Sequence, residues 1–301
     1  MTQAKRDLVG YGRTPPEAKW PKDARIAVNF CLNYEEGAER HIDHGDGQSE
    51  SILHEVGGDA RIGDRDLNSE SMYEYGSRAG FWRVMRCLED RGLNFTINAV
   101  GQALTLNPDA AQAIADSGAD IHAHGWRWID YADMPEDQER SHIRQTVAEI
   151  ERLTGRPPVG WYTGRPSLNT RRLVVEAGGF LYDSDSYSDD LPYWCYDYGR
   201  PHLILPYSID TNDSRFFRTS GFVTGDDFFQ YNRDAFDVLY AEGGRMLTIG
   251  LHARLIGRPG RIGGLMRLLD HMMAKDDVWI ARREDIARHR IANHSSRLAT
   301  I

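Results

Sequence analysis

The feature that most constrains the fold is a regular alternation of short apolar runs with segments of helical periodicity. Eight apolar runs have the length and composition of buried strands: residues 25–32, 94–100, 120–123, 159–162, 180–183, 202–205, 246–251 and 278–281. Strands that alternate with helices pair in parallel, because each helix carries the chain back to the same edge of the sheet. Seven or eight such units in 301 residues predict an α/β fold, a parallel barrel surrounded by helices.

The helical segments have recognisable ends. Asn107 can cap a first turn, Pro108 fits the first helical position, and Gly118 can adopt the left-handed conformation that closes a helix. Residues 141–154 place apolar side chains on one stripe and stop at a glycine. Further helical patterns cover residues 81–88, 168–177 and 265–273. No glycine-rich phosphate loop follows any strand, which removes the main reason to expect an open nucleotide-binding sheet.

Composition limits the partners of the chain. A net charge of -9 and an isoelectric point near 5.7 disfavour nucleic acid and anionic membranes, because phosphate groups would be repelled over most of the surface. The cysteines Cys31, Cys87 and Cys195 form no CxxC pair, which indicates a reduced, cytoplasmic protein. The first residues lack an apolar signal segment, and no run approaches the roughly 18 apolar residues of a membrane span. We therefore predict a single cytoplasmic domain over residues 1–301, with 1–24 as an extended arm, that acts on a small molecule.

Polar side chains follow several of the apolar runs directly. In a parallel barrel the carboxyl ends of all strands meet at one rim, where such barrels place their chemistry. Carboxylates, imidazoles, aromatic rings and guanidinium groups are therefore predicted to converge on one rim. They are Tyr34, Glu35 and Glu36; His122, His124, Trp126 and Trp128; Arg165; Asp183 and Asp185; and His252 and Arg254.

Each of these residues alone also fits a structural role. Adjacent glutamates in a loop are commonly solvated, and aspartates after a strand commonly cap the next segment. His252 is the hardest to explain in this way, because a polar group directly after a buried apolar run costs free energy unless it has a partner. The joint placement of these residues at corresponding strand ends favours one functional site.

The order of these residues resembles that of the polysaccharide deacetylase superfamily. The common features are an acidic pair after the first strand, a His-Gly motif after the third, an Arg-Pro motif after the fourth, aspartates after the fifth and a Leu-His motif near the end. Several segments are similar to the cofactor-independent allantoinase branch: NYEEGAER, YEYGSRAG, HGWRWIDY, GWYTGR, NTRRLV, DDLPYW, DTND, GDDFF, DAFDVLYAEG and IGLHARLIGRP. The resemblance spans residues 7–289 and implies a distorted, NodB-like (β/α) barrel of seven or eight strands.

Two positions depart from the metal-dependent members of that superfamily, which have two aspartates in the first motif and two histidines four residues apart in the second. Here the acidic pair is Glu35 and Glu36. The position four residues after His124 is Trp128, which cannot coordinate zinc. Glu36 and His124 remain as ligands if a metal binds, but a catalytic zinc ion usually has three protein ligands. His122 does not supply the third, because it is expected to lie deeper in the barrel. The resemblance therefore implies an enzyme without a cofactor.

The resemblance also assigns the proton-transfer roles. Glu35 takes the position of the general base and is expected to be held ionised by Arg165. His252 takes the position of the general acid and is expected to be oriented by Asp185 or Asp183. Water attacking a ring carbonyl needs both groups, because one proton must leave the water and another must reach the departing nitrogen.

The remaining rim residues are predicted to bind the substrate. Glu36 and His124 would bind ring N–H groups or the attacking water, and Arg254 is a further candidate for substrate contact. The flat side chains that would wall off a small ring from water are Tyr34, Trp126 and Trp128.

These roles imply hydrolysis of an amide bond in a small cyclic ureide or imide, with allantoin to allantoate as the leading case. The alternatives are a cyclic imide hydrolase acting on maleimide or succinimide rings, a metal-dependent polysaccharide or peptidoglycan deacetylase, and a catalytically silent barrel that binds a metabolite. Residues 41–68 form a polar insertion that is expected to be a surface loop or subunit contact, with a lid over the pocket as the alternative. The resemblance implies a homo-oligomer, commonly a tetramer.

Overall fold

The fold is built on one curled, mainly parallel sheet. The computed structural model describes residues 6–294 and 296. Within them the strands are β1 Ile26–Tyr34, β2 Thr96–Ala99, β3 Asp120–Ala123, β4 Gly160–Trp161, β5 Tyr182–Asp183, β6 Tyr193–Cys195, β7 His202–Ile204, β8 Arg245–His252 and β9 Val278–Ile280. All eight predicted runs form strands, and the predicted α/β barrel type is confirmed. The additional strand, β6, pairs antiparallel with β7.

The strand order brings distant parts of the chain to one rim. It runs β6-β7-β5-β4-β3-β2-β1-β8, with β9 beside the first half of β1. The register of the parallel β1–β8 pair sets Asn33 opposite His252. A single parallel bridge between Asn212 and Gly250 lies beyond β8, where residues 206–212 approach the sheet. The ends of β1, β3 and β8 and the segment after Asn212 therefore meet at the same end of the barrel.

The helices cover the outside of the sheet. They are α1 Leu67–Tyr75, α2 Phe81–Glu89, α3 Gly101–Leu106, α4 Pro108–Asp116, α5 Glu136–Thr154, α6 Thr170–Ala177, α7 Gly225–Glu242, α8 Pro259–Met273 and α9 Arg283–Asn293. Helix α4 has the predicted ends: the Asn107 side chain accepts a hydrogen bond from the Ala110 N–H, and Gly118 has a φ of +72°. Over the described part of the chain, no helix combines the length and apolarity needed to cross a membrane.

The N-terminal arm packs against the opposite end of the barrel. Trp20 is buried, its Nε1 donates a hydrogen bond to the Arg245 carbonyl at the start of β8, and its ring centre lies 5.7 Å from that of Trp279. Residues 1–5 of the predicted arm lie outside the described residues. The arm thus seals the amino ends of the strands, away from the polar rim.

The insertion, residues 41–68, lies over the rim. Ile52 and Leu53 pack against the main apolar core, and His54 is buried. The outer part is tied down by Arg127, which pairs with Asp46 at 2.5 Å. Ile52 and Leu53 are half-buried, and most of residues 55–65 are exposed. The expectation of a surface loop or subunit contact and the alternative of a lid both stay predictions.

Candidate active site

Two buried glutamates at the end of β1 form the centre of the site. The chain turns directly after Tyr34, so Glu35 and Glu36 reach the same region although neighbouring residues of a strand point to opposite faces. Each of the two side chains is 1% exposed. Arg254 donates from Nη2 to Glu35 Oε2 at 2.7 Å and from Nη1 to Glu36 Oε1 at 3.2 Å. One guanidinium therefore bridges both carboxylates.

Two histidines contact the other oxygen of Glu35. The Nε2 atom of His124, just after β3, lies 3.1 Å from Glu35 Oε1, and the Nε2 atom of His252, the last residue of β8, lies 3.4 Å from it. Each ring is fixed through its Nδ1 atom. That of His124 is 2.7 Å from the Tyr162 carbonyl oxygen, and that of His252 is 2.6 Å from Asp213 Oδ1. Both imidazoles are thus held with Nε2 directed at one carboxylate oxygen.

The charges around Glu35 separate the pKa values of the two central groups. Burial alone would raise the pKa of Glu35, but the charges of His252 and Arg254, with hydrogen bonds from the histidines, outweigh it and hold this pKa well below its ordinary value of 4.5. Burial would lower the pKa of His252, but Glu35 and Asp213 outweigh it and raise this pKa to about 9. At neutral pH Glu35 is therefore a carboxylate and His252 an imidazolium. A base and an acid in direct contact are ready for proton transfer.

The second glutamate is in a different electrostatic state. Burial raises the pKa of Glu36; Arg254 opposes this shift, and the charge of Glu35 adds to it. Its Oε2 accepts a hydrogen bond from the Glu35 N–H at 3.1 Å, so Glu36 helps to fix the backbone of Glu35. The predicted contact of Glu36 with a substrate stays a prediction. A third buried carboxyl, missed in the sequence, is Glu39, whose pKa is raised to about 7 by burial.

Arg165 does not hold Glu35, contrary to the prediction. Its guanidinium lies 4.3 Å from the centre of the Trp128 ring and donates to the Trp128 carbonyl at 3.0 Å. Arg254 makes the ion pair that was assigned to Arg165. Its guanidinium lies 5.1 Å from the centre of the same indole ring. The Arg254 side chain is fully buried and bonded to the two glutamates, and its predicted contact with the substrate stays a prediction.

Asp183 does not orient His252, contrary to the prediction. Asp183 accepts hydrogen bonds from the Arg171 side chain at 2.8 and 3.1 Å, and its Oδ2 lies 3.1 Å from His202 Nε2. These partners belong to α6 and β7. The aspartate therefore joins two elements near one end of the sheet, whereas β8 lies at the other end. Its role in the described residues is structural, and substrate contact is not supported.

Asp185 also lies away from the general acid, but it supports the site indirectly. Its carboxylate accepts hydrogen bonds from the backbone N–H groups of Thr163 and Gly164 at 2.8–3.0 Å. These residues form the turn that follows Tyr162, and the Tyr162 carbonyl is the partner of His124. Asp185 is therefore a positioning residue for His124 and not the partner of the acid.

Asp213 is the carboxylate that orients His252, and the sequence reasoning missed it. Its Oδ2 accepts from the His252 N–H at 2.7 Å and the Ile256 N–H at 3.1 Å, while Oδ1 faces the His252 ring. Asp213 follows Asn212, whose bridge to Gly250 sets it beside the end of β8. The segment DTND was part of the resemblance, and this was the signal available. No apolar run precedes it, so it was not placed at a strand end.

Only one of the three predicted aromatic walls lies at the carboxylate pair. Trp128 is buried beside Arg254, as described above. Tyr34 points to the helix side of the sheet, where its ring centre is 4.9 Å from that of Phe81, because side chains alternate along β1. Trp126 packs on Gly101 between α3 and α5. The predicted site role of Tyr34 is therefore corrected to core packing, whereas Trp126 is half-buried and its predicted contact with the substrate stays a prediction.

The side chains of this site do not fit a catalytic metal ion. Glu36 and His124 are two donors, whereas catalytic zinc usually has three protein ligands. In residues 6–294 and 296, no group of three or more His, Cys, Asp or Glu side chains has the arrangement of a metal site. Glu36 is bonded to Arg254 and His124 to Glu35. A divalent cation would have to displace the guanidinium.

Known proteins with this sequence pattern identify the family. Residues 69–178 match the family described as polysaccharide deacetylase. A Schizosaccharomyces pombe protein that is provisionally named a polysaccharide deacetylase is 41% identical, over 96% of this chain and 98% of its own length. The chain belongs to the polysaccharide deacetylase family.

Two crystal structures extend the similarity of this deacetylase-family chain to its full fold. One is that of PuuE allantoinase, and the other is that of a probable polysaccharide deacetylase from Pseudomonas aeruginosa PAO1. Each is 52% identical with a TM-score of 0.95, and the match covers 98% of this chain and 100% of the other. These similarities are consistent with the allantoinase branch of the family.

Proposed function

We propose that this hydrolase of the polysaccharide deacetylase family opens a small five-membered cyclic ureide, with allantoin to allantoate as the leading reaction. The observation that carries the proposal is the contact between ionised Glu35 and protonated His252, in a site whose donors do not fit a metal ion. The full-length similarity to a protein named allantoinase supports the same reaction. A cytoplasmic, homo-oligomeric state is part of the proposal.

The first step is attack of water on a ring carbonyl carbon. Glu35 removes a proton from the water as its oxygen bonds to carbon, and the carbonyl oxygen becomes an oxyanion. The 3.4 Å contact between Glu35 Oε1 and His252 Nε2 is the longest around this carboxylate, so it is the contact that the reactants separate most easily. His124 and Arg254 keep the remaining lone pairs of Glu35 occupied and hold its orientation.

The second step breaks the ring C–N bond. The oxyanion collapses to a carboxylic acid, and His252 Nε2 gives its proton to the departing ring nitrogen. Glu35 then carries a proton and His252 lacks one, so proton transfer between these adjacent groups restores the starting state, while the product acid releases its own proton to solvent. Asp213 keeps the His252 ring oriented through the whole cycle.

The direct test is a substrate panel with purified protein. Allantoin, hydantoin, dihydrouracil, maleimide and acetylated sugar oligomers are incubated with the protein, with and without a chelator. We expect allantoin to be opened fastest, at a rate that the chelator leaves unchanged. If none of the rings is opened under either condition, the proposal is wrong.

Deacetylation is the second candidate, because the relatives from S. pombe and P. aeruginosa carry polysaccharide deacetylase names. The same panel separates the two activities. Acetate release from sugar oligomers that is lost with chelator would replace the ureide proposal. Maleimide turnover that exceeds allantoin turnover would instead favour an imide hydrolase.

A glycine behind Glu36 provides a test of how tightly the acid pair is packed. Gly76 begins the π-helical segment Gly76–Gly80 between α1 and α2, and a Cβ atom there would lie 2.8 Å from the Glu36 Cγ and Cδ atoms. We expect Gly76→Ala to displace this carboxylate, lower kcat/KM roughly tenfold and lower the free energy of unfolding by about 1–3 kcal/mol. Steady-state kinetics and denaturant unfolding measure the two effects.

The matched control is Gly260→Ala in the first turn of α8, because nothing lies within 4 Å of a Cβ atom there. Alanine in a helix is favourable by up to about 1 kcal/mol relative to glycine, so this variant should keep full activity and wild-type stability or better. Full activity of Gly76→Ala would show that Glu36 tolerates displacement.

A further inference from the structure

All three nitrogen atoms of the Arg254 guanidinium donate hydrogen bonds in the buried site. Besides its bonds to Glu35 and Glu36, it donates from Nε to the Leu53 carbonyl oxygen at 2.9 Å. The guanidinium carbon lies 4.3 Å from the centre of the Tyr73 ring and 5.1 Å from that of Trp128. The side chain is 0% exposed. A planar cation with bonds in three directions is the group best suited to join separate segments.

Three backbone carbonyls of the insertion accept hydrogen bonds from side chains outside it. Ser69 Oγ donates to the Glu50 carbonyl and Tyr73 Oη to the Ile52 carbonyl, both at 3.0 Å. The third carbonyl is that of Leu53, held by Arg254. Leu53 has a φ of +56°, a left-handed conformation that costs a non-glycine residue free energy unless its surroundings hold it. Arg254 therefore donates its Nε hydrogen bond to the residue with the strained backbone, Leu53.

The site is closed when these bonds are made. The side chains of Glu35, Glu36 and Arg254 are at most 1% exposed, so a substrate reaches them only when something moves. The segment that lies over Arg254 and is irregular between residues 45 and 66 is the insertion. Segments of this kind commonly open and close over enzyme sites.

We propose that Arg254 is the resident cation of the acid pair and also the latch of the insertion, so that closing the insertion completes the arrangement of Glu35 and Glu36. The guanidinium occupies the position next to Glu36 and Trp128, where the donors do not fit a divalent cation, and it supplies a fixed positive charge there. Its catalytic consequence rests on the proposed ring-opening function, whereas the latch does not. Arg254 is a positioning residue, because it touches the base and not the reacting atoms.

Two features indicate that the two roles of Arg254, orienting the acid pair and holding the insertion, depend on each other. The buried Nε–H of Arg254 needs an acceptor, and the acceptor it has is the carbonyl of Leu53, the residue of the insertion with a left-handed backbone. The rings of Tyr73 and Trp128 restrict its tilt, so a shift of Leu53 must be felt at the carboxylates. Opening the insertion therefore removes one of the three directions that orient the cation.

The test combines amide hydrogen exchange with kinetics. Exchange of the backbone amides of residues 51–56 is compared in the wild-type protein, Arg254→Lys and Arg254→Ala, with folding verified by circular dichroism. Lysine keeps the charge but cannot bridge two carboxylates and a carbonyl. We expect exchange to rise roughly tenfold or more in Arg254→Ala, with a smaller rise in Arg254→Lys, because bonds to a charged group are lost. We also expect millimolar guanidinium to restore part of the protection and part of kcat in Arg254→Ala.

The matched control is Arg127→Ala. Arg127 also anchors the insertion, through Asp46, and it bonds to the carbonyls of Ala38 and Glu39 just before the insertion but not to the carboxylates of the acid pair. It should raise exchange near residue 46 and leave guanidinium without effect on kcat. The proposal is overturned if folded Arg254→Ala keeps wild-type exchange in residues 51–56, or if guanidinium rescues neither readout, or if it rescues Arg127→Ala equally. If Arg254→Ala does not fold, hydrogen exchange of residues 51–56 in Arg254→Lys is the test, and wild-type exchange in that variant overturns the proposal. This measurement needs no substrate.

Discussion

Replacing Glu35 with glutamine is expected to lower kcat/KM for ring opening by roughly 10²–10⁴-fold, the range in which loss of a positioned general base falls. The amide cannot take a proton from water. Its NH₂ group would also face a donor, because Arg254 donates to Oε2 and the protonated ring of His252 contacts Oε1. Turnover of the best substrate in the panel measures the effect, on protein whose fold is verified by circular dichroism.

Glu39→Gln is the matched control for this substitution. Glu39 is a buried carboxyl in the same turn, and its side chain accepts a hydrogen bond from the Gly37 N–H rather than from a histidine. Its pKa is raised to about 7, so near neutral pH an amide replaces a group that is already partly uncharged. We expect this variant to keep activity within about threefold. If Glu35→Gln retained more than a tenth of wild-type activity, Glu35 would not be the base.

The pH dependence of the site follows from the same charges. Glu35 has its pKa held well below 4.5, so the base stays ionised as the pH falls and loses this state only in strong acid. Its contribution to the free energy of unfolding is therefore present above its unfolded pKa and is lost as the pH falls through the folded one. The activity of the wild-type protein should have no acid limb from Glu35 near neutral pH.

The strands were predictable because each is an apolar run between turn residues. Strand β1 lies inside the sheet and is buried on both faces, which agrees with the mainly apolar run of residues 25–32. Helix α1 was missed because its sequence, LNSESMYEY, has no apolar stripe and only Ser69 and Tyr73 are buried. Tertiary contacts with the insertion hold it. Periodicity alone carries no signal for such a helix.

The residues of the candidate site were predictable where they directly follow a strand, but the pairs that they form with one another were not. Glu35, His124 and His252 were found because they stand at strand ends, and parallel strands bring those ends together. Which arginine pairs with Glu35 could not be read from the sequence, because Arg165 and Arg254 both follow predicted strands within a few residues. In the structure Arg254 makes the ion pair, whereas Arg165 bonds to the Trp128 carbonyl.

The second large effect is expected for Asp213→Asn. An asparagine has one acceptor oxygen where Asp213 meets three N–H groups: the His252 ring and the backbones of His252 and Ile256. The amide would leave a donor facing a donor, and the ring would lose its orientation. In addition, the negative charge of Asp213 helps to raise the pKa of His252 to about 9, so its removal lowers this pKa. By analogy with a Ser-His-Asp triad, kcat should fall by roughly 10³–10⁴-fold.

The pH profile of Asp213→Asn separates this role from a general loss of stability. The reaction needs protonated His252, so activity is lost as the pH rises through the His252 pKa: near 9 in the wild-type protein, and at lower pH in the variant. Asp183→Asn is the control, because Asp183 is equally buried but pairs with Arg171 and His202. The Asp183 pKa is lowered to about 2, so its ionisation stabilises the fold above its unfolded pKa, and this contribution is lost only as the pH falls through about 2. Asp183→Asn should therefore unfold more easily at neutral pH and keep its alkaline limb. An unmoved limb in Asp213→Asn, or an equal shift in both variants, would mean that Asp213 does not tune the acid.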